Sequence, residues 1–325
     1  MKSNRLYALL VCLALCVSSL PSGAMADTDR LHIVTTIFPV FDWVREVVGE
    51  DGSADITLLL DSGVDLHSYQ PTAADIMKIA ACDVFIYVGG ESDEWVEGAL
   101  AGAVNPDMTV INLLDMLGDA VKTEEITEGM EREHDHGDDH DDHGHEEEAD
   151  EHIWLSLRNA RRLTGAIAAE LAKADPARAD VYLANAAAYG EKLAELDARY
   201  VRMTEQAAFH TILFGDRFPF RYLADDYGLT YYAAFSGCSA ETEASFQTVV
   251  FLAKKVDELG LPAVLTIENP QTRIAGTVVQ ATAGRNQRIL SLDSMQGTTA
   301  RDIREGVTYL SVMEANLAVL TEALN

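Results

Sequence analysis

The stretch LHIVTTIFPVFDWVREVVGEDGSADITLLL, residues 31–60, decides the fold class. Its β-branched start predicts a buried strand over 31–37, and the apolar run at its end predicts a second strand over 56–60. Residues 41–48 between them predict a helix. A strand, a helix and a strand with short connections form a parallel pair covered by the helix. We therefore expect an α/β protein.

The same alternation continues on both sides of one long helical segment. Residues 176–206 follow Asp175 with no proline after Pro176, and a helix of this length spans about 45 Å. We predict an N-terminal lobe over 27–175 and a C-terminal lobe over 207–325, each with a mainly parallel four-stranded sheet flanked by helices. The long helix is expected to join them rigidly. The remaining strands are predicted over 83–88, 109–111, 211–214, 230–235, 263–267 and 289–292.

The charge of the chain is strongly negative. Among 325 residues, 24 Lys and Arg oppose 53 Asp and Glu, a net charge of −29. Such a surface repels nucleic acids and suits cations. Residues 124–150 hold much of the acid without apolar periodicity, which predicts a disordered loop. Its imidazoles predict weak accessory metal binding by His134, His136, His140, His143 and His145.

The start of the chain predicts export. A positively charged beginning, an apolar run over 6–17 and the small-residue site Ala24-Met25-Ala26 predict a signal peptide over 1–26. We expect a periplasmic or cell-surface protein. Cys16 leaves lipid attachment open as an alternative.

Two cysteines remain after such cleavage. Four cysteines in the whole chain are too few for a disulfide scaffold. Because Cys82 and Cys238 lie in different predicted lobes, we do not expect them to pair.

Four histidines lie outside the acidic loop. His32 and His210 adjoin the starts of predicted strands and are interpreted as structural. His67 lies in a turn-rich segment beyond the second strand, and His152 lies where the acidic loop ends. Ligands of open α/β sheets bind beyond the carboxyl ends of strands, so these two side chains are expected to reach a cleft between the lobes.

Two motifs carry a family resemblance. HSYQPT, residues 67–72, resembles the DPHSYEPT loop of the cluster A-I solute-binding proteins of metal ABC importers, the ZnuA/TroA type. DEHIWLSLRN, residues 150–159, is similar to that family's DPHIWLSPRN, and a histidine-rich insertion before it is typical of the zinc-specific members. The resemblance implies that His67 and His152 are metal ligands from the first lobe. It also implies a ligand from the second lobe, Asp293 in LDSMQG.

The fourth ligand is where the sequence departs from the family. The family places His or Glu a short distance before an aromatic–glycine pair, and here that position is Arg217. Arginine stays protonated and offers no lone pair, so it cannot bind a metal. We expect the adjacent Asp216 to serve, with Glu243 (or Glu241) and Cys238 as alternatives.

These ligands suggest a cation and a role. Two imidazoles with one or two carboxylates suit Zn²⁺, and Mn²⁺ becomes possible if more oxygens join. The resemblance implies a monomeric, non-enzymatic, high-affinity zinc-binding protein that captures metal in the cleft and delivers it to an ABC permease. The alternatives are a Mn²⁺-specific protein of the same type, a secreted zinc-dependent hydrolase, and an adhesin or zinc buffer that meets no permease.

Overall fold

The structure is a computed structural model that describes residues 30–49, 52–131, 148–239, 243–268 and 273–325. The predicted signal peptide, the five histidines of the acidic loop and Glu241 lie outside these residues.

The first sheet contains four parallel strands in the order β2-β1-β3-β4. Thr72 and Asp75 form a capping box in which each side chain accepts the other's backbone N–H, and this starts the second helix. Two helices of six and five residues were not predicted from the sequence. The strands are β1 (Leu31–Thr35), β2 (Ala54–Leu58), β3 (Val84–Tyr87) and β4 (Thr109–Asn112), and the helices are α1 (Phe38–Val48), α2 (Ala73–Ala81), α3 (Trp95–Leu100) and α4 (Leu113–Leu117).

Two long helices follow the first sheet, α5 (Leu157–Ala174) and α6 (Ala179–Gln206). Helix α6 is the predicted linking helix; it has 28 residues, or about 42 Å. It packs along α5 and also contacts helix α1 and the C-terminal helix (Tyr309–Ala323). The Asn185 amide donates to Val47 O at 3.0 Å, and the Tyr200 hydroxyl donates to Met313 O at 2.6 Å. The linking helix is therefore part of the packed body and not a free spacer.

The second sheet repeats the first, with all strands parallel in the order β6-β5-β7-β8. Strand β5 extends past the predicted end, with a register shift between Phe214 and Arg217. The sequence pattern over 300–323 predicts one helix, but the structure has two, because Gly306 adopts a φ of 96° after the first. The strands are β5 (Thr211–Phe218), β6 (Thr230–Ser236), β7 (Ala263–Ile267) and β8 (Arg288–Leu292), and the helices are α7 (Arg221–Tyr227), α8 (Phe246–Leu259), α9 (Arg273–Ala281), α10 (Ala300–Arg304) and α11 (Tyr309–Ala323).

One hydrophobic core runs through both lobes. Buried residues from the first lobe, such as Trp43 and Trp154, share it with Phe214 from the second. The C-terminal helix α11 contributes Tyr309, whose backbone N–H donates to Asp42 at 2.8 Å and whose hydroxyl donates to Trp154 O at 2.7 Å. The end of the chain therefore fastens the second lobe to the first.

The described ends of the acidic loop are ordered. Within the span 124–150, Glu124 N–H donates to Glu148 O at 2.8 Å. Thr123 pairs with Ala149 in an antiparallel bridge beside it. The prediction of disorder is wrong for these ends, because main-chain pairing closes the loop at its base.

Candidate metal centre

His67 lies on a short turn just beyond the first sheet. Asp65 starts the 3-10 turn Leu66–Ser68 by accepting the His67 backbone N–H at 3.0 Å. The ring atom Nδ1 lies 2.7 Å from Ser92 Oγ and 3.6 Å from Glu151 Oε2. Polar partners on the Nδ1 side fix the ring and leave Nε2 available as a ligand.

His152 is held in the same way by a carboxylate. Asp150 Oδ1 accepts the His152 backbone N–H at 2.9 Å and lies 3.0 Å from its Nδ1. A carboxylate can only accept, so Nδ1 carries a proton, and Nε2 is the ring atom directed at the cluster. The side chain is fully buried, which keeps this orientation in place.

The two Nε2 atoms face each other at 3.1 Å. Tetrahedral zinc with Zn–N bonds of 2.0–2.1 Å would set this separation at about 3.3 Å. Burial and the neighbouring His152 lower the pKa of His67 to about 3. The His67 ring is therefore neutral near pH 7, as coordination requires. The pair is a donor set suited to a cation.

Cys238 completes the cluster from the second lobe. One ligand atom from each of His67, His152 and Cys238 lies within 4.8 Å of the other two. Both cysteines of the described chain are free, and Cys82 is buried elsewhere in the first lobe. Burial, followed by the nearby Glu124, raises the pKa of the Cys238 thiol.

Asp216, the residue predicted to be the fourth ligand, lies outside this cluster. Its Oδ1 accepts the Arg217 backbone N–H at 2.9 Å, and its Oδ2 accepts the Ile267 backbone N–H at 3.3 Å. Both oxygens are thus used where β5 and β7 end. The alternative Glu243 is likewise not part of the cluster.

Asp293 follows β8, as predicted, but it is also outside the three-residue cluster. Its Oδ1 accepts the Met295 backbone N–H at 2.7 Å. Burial, with Glu268 nearby, raises the pKa of Asp293 to about 6. The Trp154 indole donates to Ser294 O at 2.8 Å and so fastens this segment to the His152 turn. Asp293 as a ligand stays a prediction.

Arg217 links the two turns that carry the cluster. Its Nη2 lies 2.7 Å from Asp65 Oδ2 in the His67 turn, and its Nη1 donates to Ser239 O at 3.4 Å, next to Cys238. Arg217 therefore braces the two turns against each other. Sequence reasoning did not find this contact, because its partners are distant in the chain.

The fold has two lobes, and atoms able to bind a metal converge from both of them in one cluster. The described residues include no helix that is long and apolar enough to span a membrane. The chain belongs to the family described as "Zinc-uptake complex component A periplasmic", which it matches over residues 33–323. This match confirms the family resemblance.

The names of curated relatives refer to zinc. The chain is 30% identical over 295 residues to "Zinc-binding protein AdcA" of Streptococcus pyogenes, covering 90% of this chain and 55% of the relative. It therefore spans about half the length of these relatives. It is 28% identical over 327 residues to "High-affinity zinc uptake system protein ZnuA" of Bacillus subtilis, covering 99% of this chain and 98% of the relative.

Solved structures share the fold. The Zn(II)-bound ZnuA-like domain of Streptococcus pneumoniae AdcA has a TM-score of 0.70 at 29% identity, covering 91% of this chain and 99% of that domain. The metal-dependent lipoprotein YcdH of Bacillus subtilis has a TM-score of 0.72 at 25% identity, with coverage of 91% and 99%. These similarities confirm the predicted architecture of two parallel four-stranded sheets and a long helix.

Proposed function

We propose that this protein captures Zn²⁺ between its two lobes and delivers it to an ABC-transporter permease. The observation that carries the proposal is the pair of buried imidazoles of His67 and His152, with Nε2 atoms 3.1 Å apart. Two buried imidazoles, each oriented by a partner at Nδ1, form a preorganised site for a transition metal. The names of the relatives, which refer to zinc binding and zinc uptake, support zinc as the cargo.

The donor set favours zinc over manganese. Mn²⁺ prefers carboxylate, carbonyl and water oxygens, whereas zinc accepts imidazole readily. If the predicted ligand Asp293 adds one oxygen to the two imidazole nitrogens, most of the ligand atoms are still nitrogen. The family's periplasmic description and the lipoprotein names among the relatives support export to the periplasm or the cell surface.

Calorimetry of the metal-free chain tests the capture step. The wild type should bind one zinc ion tightly, and the variant carrying His67→Ala and His152→Ala should lose that site. His210→Ala is the matched control, since it removes an imidazole that belongs to no cluster of ligand atoms among the described residues. Tight zinc binding by the double variant would refute the proposal.

The histidine-rich loop is proposed to supply weak accessory sites. Deletion of residues 132–147 keeps the pairing of Glu124 with Glu148 at the base of the loop. The shortened chain should lose weak binding and retain the tight site. If it loses the tight site, the loop takes part in the main centre.

Delivery to a permease is tested in cells. A strain lacking this protein should accumulate less zinc when a chelator limits the supply, and the wild-type gene should restore uptake. The His67→Ala and His152→Ala double variant should not. Normal zinc accumulation in the deletion strain would refute delivery to a permease, but it would not contradict zinc capture by the protein.

A further inference from the structure

We infer that Cys238 is a metal ligand, and that its thiolate makes the site select thiophilic cations over Mn²⁺. The class includes Zn²⁺, Cd²⁺ and Cu⁺, with Co²⁺ as a useful probe. This inference rests on the proposed metal capture and names the cations that the same site accepts.

The placement of Cys238 is the first observation. Its sulfur lies within 4.8 Å of the ligand nitrogens of both His67 and His152. In a tetrahedral zinc site with Zn–N near 2.05 Å and Zn–S near 2.3 Å, nitrogen and sulfur ligands are about 3.6 Å apart. A shift of about 1 Å, within the reach of a side-chain rotation, brings the sulfur onto the ion. The cysteine is then the cluster's contribution from the second lobe.

The turn that carries Cys238 is packed directly against the histidine pair. A Cβ on Gly237 would lie 2.9 Å from His152 Cε1 and 3.0 Å from Phe218 O. Only a residue without a side chain lets the backbone pass so close to the ring. The Cys238 backbone N–H also donates to Glu124 Oε1 at 3.0 Å, so the turn is held on the side of the acidic loop as well.

Arg217 holds the same turn from a third side. The guanidinium reaches Ser239 O at 3.4 Å and Asp65 Oδ2 at 2.7 Å. It cannot coordinate a metal itself. By joining the residue after Cys238 to the turn of His67, it fixes the distance between a sulfur ligand and a nitrogen ligand. The positive charge is balanced by Asp65 and does not stand alone beside the ion.

The chemistry of sulfur gives the selectivity. As the metal–sulfur bond forms, the thiol proton passes to water and the thiolate donates the bonding pair. Thiolate is a soft ligand that zinc and copper(I) accept, whereas Mn²⁺ prefers oxygen. Asp216, the fourth ligand expected from the sequence, has both oxygens engaged by backbone N–H groups.

Cobalt substitution of the full metal-free chain tests the ligand directly. A thiolate bound to Co²⁺ produces a charge-transfer band in the near ultraviolet. We expect this band in the wild type and in Cys82→Ser, and its loss in Cys238→Ser. Cys238→Ser should weaken zinc binding by roughly 100-fold or more, because loss of a direct ligand should cost at least as much as loss of an outer-sphere partner. The same variant should leave Mn²⁺ binding unchanged. Cys238→Asp should shift the preference toward Mn²⁺.

The outcomes separate this inference from the proposed function. Tight binding of cobalt and zinc without the band would overturn Cys238 ligation and leave zinc capture standing. If neither cobalt nor zinc bound tightly, both Cys238 ligation and the proposed zinc capture would be overturned.

A measurement on the wild type avoids any dependence on folding of the variants. Bound zinc should protect Cys238 from a maleimide, with labelling mapped by mass spectrometry, and Mn²⁺ should not. Cys82 is 1% exposed and serves as the unreactive internal reference. Full labelling of Cys238 in the zinc-loaded protein would overturn the inference.

Discussion

Replacing Gly237 with alanine adds one methyl group against the buried imidazole of His152. The new Cβ would lie 2.9 Å from Cε1 and 3.1 Å from Nδ1 of that ring, and 3.0 Å from Phe218 O. Ordinary contact begins at 3.4 Å. The ring or the turn must therefore move by about 0.5 Å, the difference between 3.4 and 2.9 Å.

Neither partner can move without cost. His152 has no exposed surface, and Asp150 holds its Nδ1 at 3.0 Å. Overpacking of this kind destabilises a protein by about 1–3 kcal/mol. Movement of the ring also weakens the Asp150 contact, and loss of such outer-sphere support lowers metal affinity by about 10–100-fold. We expect Gly237→Ala to weaken zinc binding within that range.

Competition with a chelator of known zinc affinity measures the effect, and urea unfolding of the metal-free protein reports the stability. Gly165→Ala is the matched control, because its new Cβ in α5 has no atom within 4 Å. The control should bind zinc like the wild type and be more stable by about 0.5–1 kcal/mol. A folded Gly237→Ala protein with wild-type zinc affinity would show that this contact does not set the site.

Three further predictions concern contacts around the centre. In a double-mutant cycle of Asp65→Asn and Arg217→Gln, the coupling energy should be about 1–3 kcal/mol, because the side chains are only 23% and 19% exposed; zero coupling would contradict it. Burial raises the pKa of Asp93 to about 7 from an ordinary 3.8. The folded protein therefore keeps a proton that the unfolded chain releases, and the stability of the metal-free protein should fall as pH rises through that window, by at most about 4 kcal/mol. Asp93→Asn should flatten this dependence in urea titrations, and an unchanged slope would be evidence against it. Tyr309→Phe leaves Trp154 O without its 2.7 Å donor and should lower the unfolding free energy by about 1–2 kcal/mol, while an unchanged urea midpoint would argue against the bond.

Most of the fold could be predicted from the sequence because each sheet is built from short apolar strands alternating with helices. Ala263–Ile267, for example, is buried throughout and appears as predicted. The helices that were not predicted, and the helix break that was not predicted, have local causes. Helices α3 and α4 are too short to show periodicity. The break between α10 and α11 falls at Gly306, whose φ of 96° the apolar pattern on either side does not show.

The site was predictable only in part. The motifs around His67 and His152 pointed to two side chains that the structure brings together. The spacing argument placed Asp216 first and named Cys238, the third member of the cluster, only as an alternative. The register shift in β5 turns these residues toward Asp65 and toward the backbone of Ile267. Cys238 arrives instead through packing of the adjacent turn on His152, a contact between distant segments that no local pattern shows.

Contacts between the two lobes limit how the metal can enter and leave the site. Swinging the lobes apart would break the bond from Trp154 to Ser294 and expose Trp154, which is buried in the shared core. An aromatic side chain buries about 150–250 Å², worth about 4–6 kcal/mol at 25 cal/mol per Å². Local movement avoids this cost. The His67 side chain is 11% exposed, whereas His152 is sealed at 0%. Exchange with solvent is therefore expected on the His67 side, with His152 as the fixed wall of the site.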